Sequence, residues 1–163
     1  MFDIEIERLA QAILAAARAK GWTVATAESC TGGLVAGALT GIAGSSDAFH
    51  RGVVTYSNEA KTALLGVPAD LFPSVGAVSA EVARAMAEGA LAGSGAEVAV
   101  GVTGIAGPGG GSAEKPVGLV WFGLARKGAE TLTQEMRYGD LGRGAVRMAA
   151  VRTALDLLYS GVT

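Results

Sequence analysis

Apolar positions recur with a helical period over residues 3 to 20, where Ile6, Leu9, Ile13 and Ala17 share one face while Glu5, Glu7 and Arg8 lie elsewhere. Gly21 supplies the stop. The pattern then turns extended over 22 to 27, becomes helical again from about 31 to 40, and closes at Gly41. Gly44-Ser45-Ser46-Asp47 reads as a loop and Gly52-Val53-Val54-Thr55-Tyr56 as a second, short strand. A helix follows to Leu65, begun by Ser57 or Asn58 as N-cap and ended by Gly66-Val67-Pro68. A loop through Pro73 and Gly76 leads to Ser79, which caps a helix of 80 to 93 with Val82, Met86 and Ala90 as its apolar stripe. Residues 97 to 103 are continuously apolar apart from their ends, as in a strand covered on both faces, and this strand is expected to be central. Two further extended segments, 117 to 125 and 130 to 137, flank Arg126-Lys127-Gly128-Ala129 and predict an antiparallel hairpin. The last helix, 141 to 159, turns Met148, Val151, Leu155 and Leu158 inward. The order α-β-α-β-α-α-β-β-β-α predicts an α/β fold, a single three-layer α/β/α domain with a mixed sheet spanning 1–163.

Composition narrows the chemistry. A chain of 163 residues, 50% apolar, suits one domain with a substantial core. Its formal charge of -2 and the absence of any basic run disfavour nucleic acid as a partner. Glycine, charge or turn residues interrupt every apolar stretch short of a spanning length, and the N-terminal segment is acidic and amphipathic. The reading is therefore a cytoplasmic protein with no membrane partner. One cysteine excludes an internal disulfide, and one cysteine with one histidine cannot build an N/S metal site. A Ser-His-Asp triad would have to use His50, which reads as a partly exposed loop residue, so a nucleophile here must find its base in lysine, tyrosine or carboxylate.

Ala27-Glu28-Ser29-Cys30-Thr31-Gly32-Gly33 hands a hydroxyl from a strand to a helix start. The first helical turn has N–H groups without intrahelical partners, suited to an oxyanion or phosphate; alternatively Ser29 or Thr31 is simply the N-cap. Lys61 follows Tyr56 by five residues and can stand one turn above the strand end, although a helical lysine can equally be a solvated surface residue. Gly104-Ile105-Ala106-Gly107-Pro108-Gly109-Gly110-Gly111 can form a nest for phosphate or a flexible surface loop. It lacks the ending of an ATP-binding P-loop and the spacing of a dinucleotide fingerprint, which disfavours ATP and NAD. Arg143 and Arg147 share a helix face and could clamp an anion or make surface ion pairs.

Ala27–Gly33 (AESCTGG), Gly52–Lys61 (GVVTYSNEAK), Gly76–Ser79 (GAVS), Thr103–Pro108 (TGIAGP) and Lys115–Gly118 (KPVG) resemble the CinA C-terminal domain family, in order and over nearly the whole chain. The resemblance implies a nicotinamide-nucleotide amidohydrolase, an NMN deamidase that recycles pyridine nucleotides. It places the catalytic serine on Ser29 and the catalytic tyrosine and lysine on Tyr56 and Lys61. Substrate contacts are expected from Cys30, Thr31, Gly32, Gly33, Thr103, Gly104, Gly107 and Arg143, with nicotinamide mononucleotide as the small-molecule substrate and no metal or organic cofactor. We expect a homo-oligomer, most simply a dimer. Longer family members carry a preceding domain linked to nucleotide pyrophosphatase activity, an activity expected to be absent here. The setting that names the family leaves a non-enzymatic partner in competence or the DNA-damage response as the alternative. His50 and Arg51 vary the segment before the second strand, and the glycine loop carries three consecutive glycines, without removing a catalytic position.

Overall fold

A computed structural model describes residues 1–163. Helix α1 (Ile4–Lys20) is capped by Asp3, whose side chain accepts from the N–H groups of Glu5 and Ile6, and ends on left-handed Gly21. Strand β1 (Val24–Glu28), α2 (Leu34–Thr40), β2 (Phe49–Val54), α3 (Asn58–Leu65), α4 (Leu71–Val75), α5 (Ala80–Ser94), β3 (Val98–Gly104), β4 (Leu119–Arg126), β5 (Leu132–Arg137) and α6 (Arg143–Val162) follow, with a single 3₁₀ turn at Ser45–Asp47.

The sheet is mixed, as expected, in the order β2-β1-β3-β4-β5. β1 runs parallel to both β2 and β3, while β4 is antiparallel to β3 and β5 to β4. Alternation of side chains across β1 and β3 divides the core in two. Val24, Val98, Val100 and Val102 face α1, α2 and α6 in the larger cluster, where Ile13, Leu14, Val151, Leu155 and Leu158 are fully buried. Ala25, Ala27 and Ala99 face α3 and α5, packing with Leu65, Val82 and Met86. The small residues on this second face bring α5 very close to its neighbours. At Gly89 an added Cβ would lie 1.9 Å from the Leu65 carbonyl oxygen, so only glycine allows α5 to press against the end of α3.

Several boundaries differ from expectation. β2 begins at Phe49, earlier than the predicted 52, and His50 lies on this exposed edge strand rather than in a loop. An edge strand is paired on one side only and tolerates the charge at Arg51 that obscures its pattern. The 71–75 segment is a short helix and not a loop; Pro73 falls in its first turn, where an N–H has no helical partner to lose. α2 starts at Leu34 rather than near 31, and Ser57 rather than Asn58 caps α3, accepting from the N–H of Ala60. β4 runs through Arg126, and α6 runs from Arg143 through Val162, ending later than 159.

Candidate active site

β1 connects through α2 to β2 on one side, while β3 lies on its other side, so the connections diverge between β1 and β3. The crevice beyond the C-terminal ends of strands at such a point is the usual ligand site of an open α/β sheet. Ser29 follows the last residue of β1, and Thr103 and Gly104 close β3. A cleft of about 210 Å³ opens there, lined by Ser29, Cys30, Tyr56, Asn58, Lys61, Ala77, Val78, Thr103, Gly104, Ala106 and Arg143.

Lys61 is 2% exposed, which removes the solvated-surface reading. Its Nζ lies 3.1 Å from Ser29 Oγ and donates to the carbonyls of Thr55 at 2.9 Å and Tyr56 at 3.4 Å. The spacing from the β2 end to α3 thus places the amine above the chain it has just left. None of the chain's ion pairs includes Lys61. Burial holds its pKa below the usual lysine value.

The Ser29 turn is held from two directions. Glu28, 1% exposed, accepts from the N–H groups of Val35 at 2.9 Å and Ala36 at 3.0 Å, occupying the start of α2. This is why neither Ser29 nor Thr31 caps the helix and why its first-turn donors are not free for a ligand; the N-cap is Gly33, without a side-chain bond. The N–H groups of Cys30 and Thr31, by contrast, donate to no other residue. Burial pushes the Cys30 thiol up to about 11, reinforced by the charge of Glu28.

Tyr56 is 63% exposed at the cleft rim, where its hydroxyl accepts from Arg143 Nη2 at 3.0 Å. Arg143 Nη1 donates to the Gly107 carbonyl at 2.9 Å, tying the glycine loop to α6, and no carboxylate pairs with this arginine. Thr103 donates its hydroxyl to the Ala77 carbonyl at 2.8 Å, so it fixes the opposite wall. Lys115 does the same from the KPVG segment, donating to the carbonyls of Val75 and Val78.

Of the residues expected at the site, Ser29, Cys30, Tyr56, Lys61, Thr103, Gly104 and Arg143 meet at the cleft, whereas Thr31, Gly32, Gly33 and Gly107 are not among its lining residues. Asn58, Ala77, Val78 and Ala106 join it without having been singled out for binding. Asn58 carried a signal, since with Ser57 as the cap its side chain is left free. Three or more His, Cys, Asp or Glu placed to hold a metal ion occur nowhere in the chain.

Fold and site together define a three-layer α/β/α protein whose switch-point cleft holds a buried serine–lysine pair. The chain belongs to the CinA C-terminal domain family, whose sequence profile matches residues 6–162. It is 56% identical over 157 residues to a protein of Enterobacter agglomerans named nicotinamide-nucleotide amidohydrolase PncC, covering 96% of this chain and 94% of that one. A CinA-like protein of Geobacter sulfurreducens is 53% identical over 141 residues, covering 86% of this chain but 34% of its own length. The crystal structure of competence/damage inducible protein CihA from Agrobacterium tumefaciens superposes with a TM-score of 0.96 at 55% identity, covering 98% of this chain and 97% of the other. No helix is long and apolar enough to cross a membrane.

Proposed function

We propose that this protein hydrolyses the carboxamide of nicotinamide mononucleotide to nicotinate mononucleotide and ammonia, through a serine nucleophile with a lysine base. The observation that carries the mechanism is the 3.1 Å approach of Lys61 Nζ to Ser29 Oγ at a buried site where no carboxylate pairs with the lysine; the substrate class follows from the amidohydrolase names of its near-full-length relatives.

Neutral Lys61 takes the Ser29 proton as Oγ attacks the amide carbon, and the N–H groups of Cys30 and Thr31 receive the oxyanion. Because Arg143 supplies the donor in its contact with Tyr56, the phenol keeps its own proton for the departing nitrogen. Loss of ammonia leaves a Ser29 ester, a Tyr56 phenolate and a protonated Lys61; the lysine returns its proton to the phenolate, and water then cleaves the ester with the neutral amine again as base and Ser29 reprotonated as it leaves. The neighbouring thiol is not the nucleophile: with a pKa near 11 it is almost wholly protonated at neutral pH.

At about 210 Å³ the cleft falls below the roughly 300–1,000 Å³ that encloses a drug-sized ligand. It takes the pyridine carboxamide end and leaves the phosphate at the rim, beside Arg143 and the N–H groups of the 107–111 loop. The deciding experiment is ammonia release from nicotinamide mononucleotide by the purified protein at micromolar concentration, with nicotinate mononucleotide formed in equal amount. A folded protein that releases none, beside an active control amidase, rejects the proposal in favour of a non-enzymatic partner role.

A further inference from the structure

Arg147 lies one helical turn after Arg143 on α6, yet its guanidinium points to the other side of the site. Nε donates to the Cys30 carbonyl at 3.0 Å and Nη2 to the Thr31 carbonyl at 3.1 Å. Arg18, Arg84, Arg137 and Arg152 all meet carboxylates, whereas Arg147 meets none and spends its fork on two successive peptide groups of the Ser29 turn. The fit is close. A Cβ on Gly32, whose φ is +61°, would lie 2.9 Å from Arg147 Nη2, so glycine at that position makes room for the guanidinium.

Peptide planarity gives this contact a direction. In a trans peptide the C=O and N–H point opposite ways. With the Cys30 carbonyl on Arg147, the N–H of Thr31 in the same plane is turned away from the arginine. The next peptide is fixed as well, since its carbonyl is on Arg147 and its N–H, from Gly32, donates back to the Ser29 carbonyl at 3.0 Å. Cys30 and Thr31 are thereby left with N–H groups that no other residue takes. A charged donor on the carbonyl also draws electron density from the amide and strengthens its N–H as a donor.

We infer that Arg147 is a positioning residue for an oxyanion hole formed by the N–H groups of Cys30 and Thr31, an inference that rests on Ser29 being the nucleophile. Arg147 touches no reacting atom; it fixes the peptide that carries the Thr31 N–H directly and the one that carries the Cys30 N–H through the Gly32 N–H on the Ser29 carbonyl. Arg147→Met keeps length and removes the fork, and Arg147→Lys keeps the charge with a single point donor. Each is assayed for kcat and KM, and for affinity towards two ligands. One is the analogue of nicotinamide mononucleotide with a formyl group in place of the carboxamide, which Ser29 can add to as a hemiacetal. The other is the product, nicotinate mononucleotide.

Arg147→Met is expected to lower kcat by about 30- to 100-fold, somewhat less than deletion of an oxyanion donor outright, with KM within about threefold. Affinity for the aldehyde should fall in step with kcat while product affinity holds, and Arg147→Lys should lie between. A kcat within threefold of wild type, or equal losses for aldehyde and product, would mean a merely structural role and overturns the inference. Should Arg147→Met not fold, as judged by its thermal transition, the same comparison in Arg147→Lys decides. Ser29→Ala separates the two levels: if it turns over substrate, the nucleophile reading falls and the oxyanion hole with it, whereas an inactive Ser29→Ala beside an unaffected Arg147→Met rejects the Arg147 role alone.

Discussion

Replacing Lys61 tests the chemistry most directly, because proton transfer, charge and burial each predict a different outcome. The amine is within hydrogen-bond reach of Ser29 at 3.1 Å and otherwise contacts only the carbonyls of Thr55 and Tyr56. General base catalysis contributes about 10²- to 10⁴-fold, which at about 1.4 kcal/mol per decade is roughly 3–5 kcal/mol of transition-state stabilisation. Lys61→Met should therefore lose at least a hundredfold in kcat. Stability should change little. The Thr55 carbonyl loses a donor, at a cost of about 1–3 kcal/mol, while the fold no longer has to bury an amine whose protonated form burial disfavours. Lys61→Arg keeps the charge but cannot give up a proton and should be equally inactive. pH adds a signed test. Because the native pKa lies below 10.5, kcat/KM should rise with pH through an apparent value beneath that of a free lysine. Between the native and unfolded values the unfolded chain binds the proton that the native state has lost, so wild-type stability also rises with pH across that window, and the rise should vanish in Lys61→Met. Initial rates of ammonia release and urea midpoints from pH 6 to 10 measure both. An arginine variant with more than about a tenth of wild-type kcat, or a flat pH profile of kcat/KM, would refute Lys61 as the base.

Ser29→Ala should abolish turnover while affinity for nicotinate mononucleotide, measured by calorimetry, stays within a few fold, since the proposed phosphate anchor, Arg143, is left intact. Cys30→Ala should retain most activity, and native Cys30, 6% exposed and with its pKa near 11, should react with iodoacetamide far more slowly at pH 7.5 than a free thiol. Arg143→Ala should raise KM more than it lowers kcat; a fall in kcat alone would instead assign Arg143 to holding Tyr56. Glu28→Ala removes the acceptor for one buried and one part-buried α2 donor and should cost about 2 kcal/mol, or roughly 4–8 °C in Tm for a chain of this size, read by calorimetry.

What could be read from the chain was local. Gly21, Gly66, Ser57 and Ser79 end or begin their helices as their residue types require, and the unbroken apolar run of β3 marked it as interior. Spacing alone let Lys61 stand above the strand end but left it equally a surface residue; its burial beside Ser29 depends on a contact 32 residues away, and it was the family resemblance that pointed to it and to Tyr56. The start of α2 was not, because the group that displaces it, Glu28, reaches over seven and eight residues to Val35 and Ala36 and looks like an ordinary strand end. Arg147 was harder still: its partners are 117 and 116 residues away, and nothing in an (i, i+4) arginine pair says that one faces the glycine loop and the other the serine turn. Edge strand β2 was placed late because its alternation is broken by residues that need no second neighbour.

At the centre, one cause acts on two titratable groups of opposite type. Burial disfavours whichever form is charged, so it keeps the Cys30 thiol protonated and favours the unprotonated Lys61 amine. Each supports the other's neutrality. An ionised Cys30 would draw Lys61 back towards the ammonium, and an ammonium would lower the thiol's pKa in turn. The remaining nearby anion, Glu28, is committed to the N–H groups of α2. A base that must be neutral before attack therefore has no anion free to pair with it, and the cation that stabilises the turn, Arg147, donates to the carbonyls of Cys30 and Thr31 and not to Ser29 or Lys61. On this account, moving charge into the cleft should be worse for catalysis than removing a contact. An Asp at Cys30 would hold Lys61 as an ammonium and silence the enzyme while leaving both Ser29 and Lys61 in place.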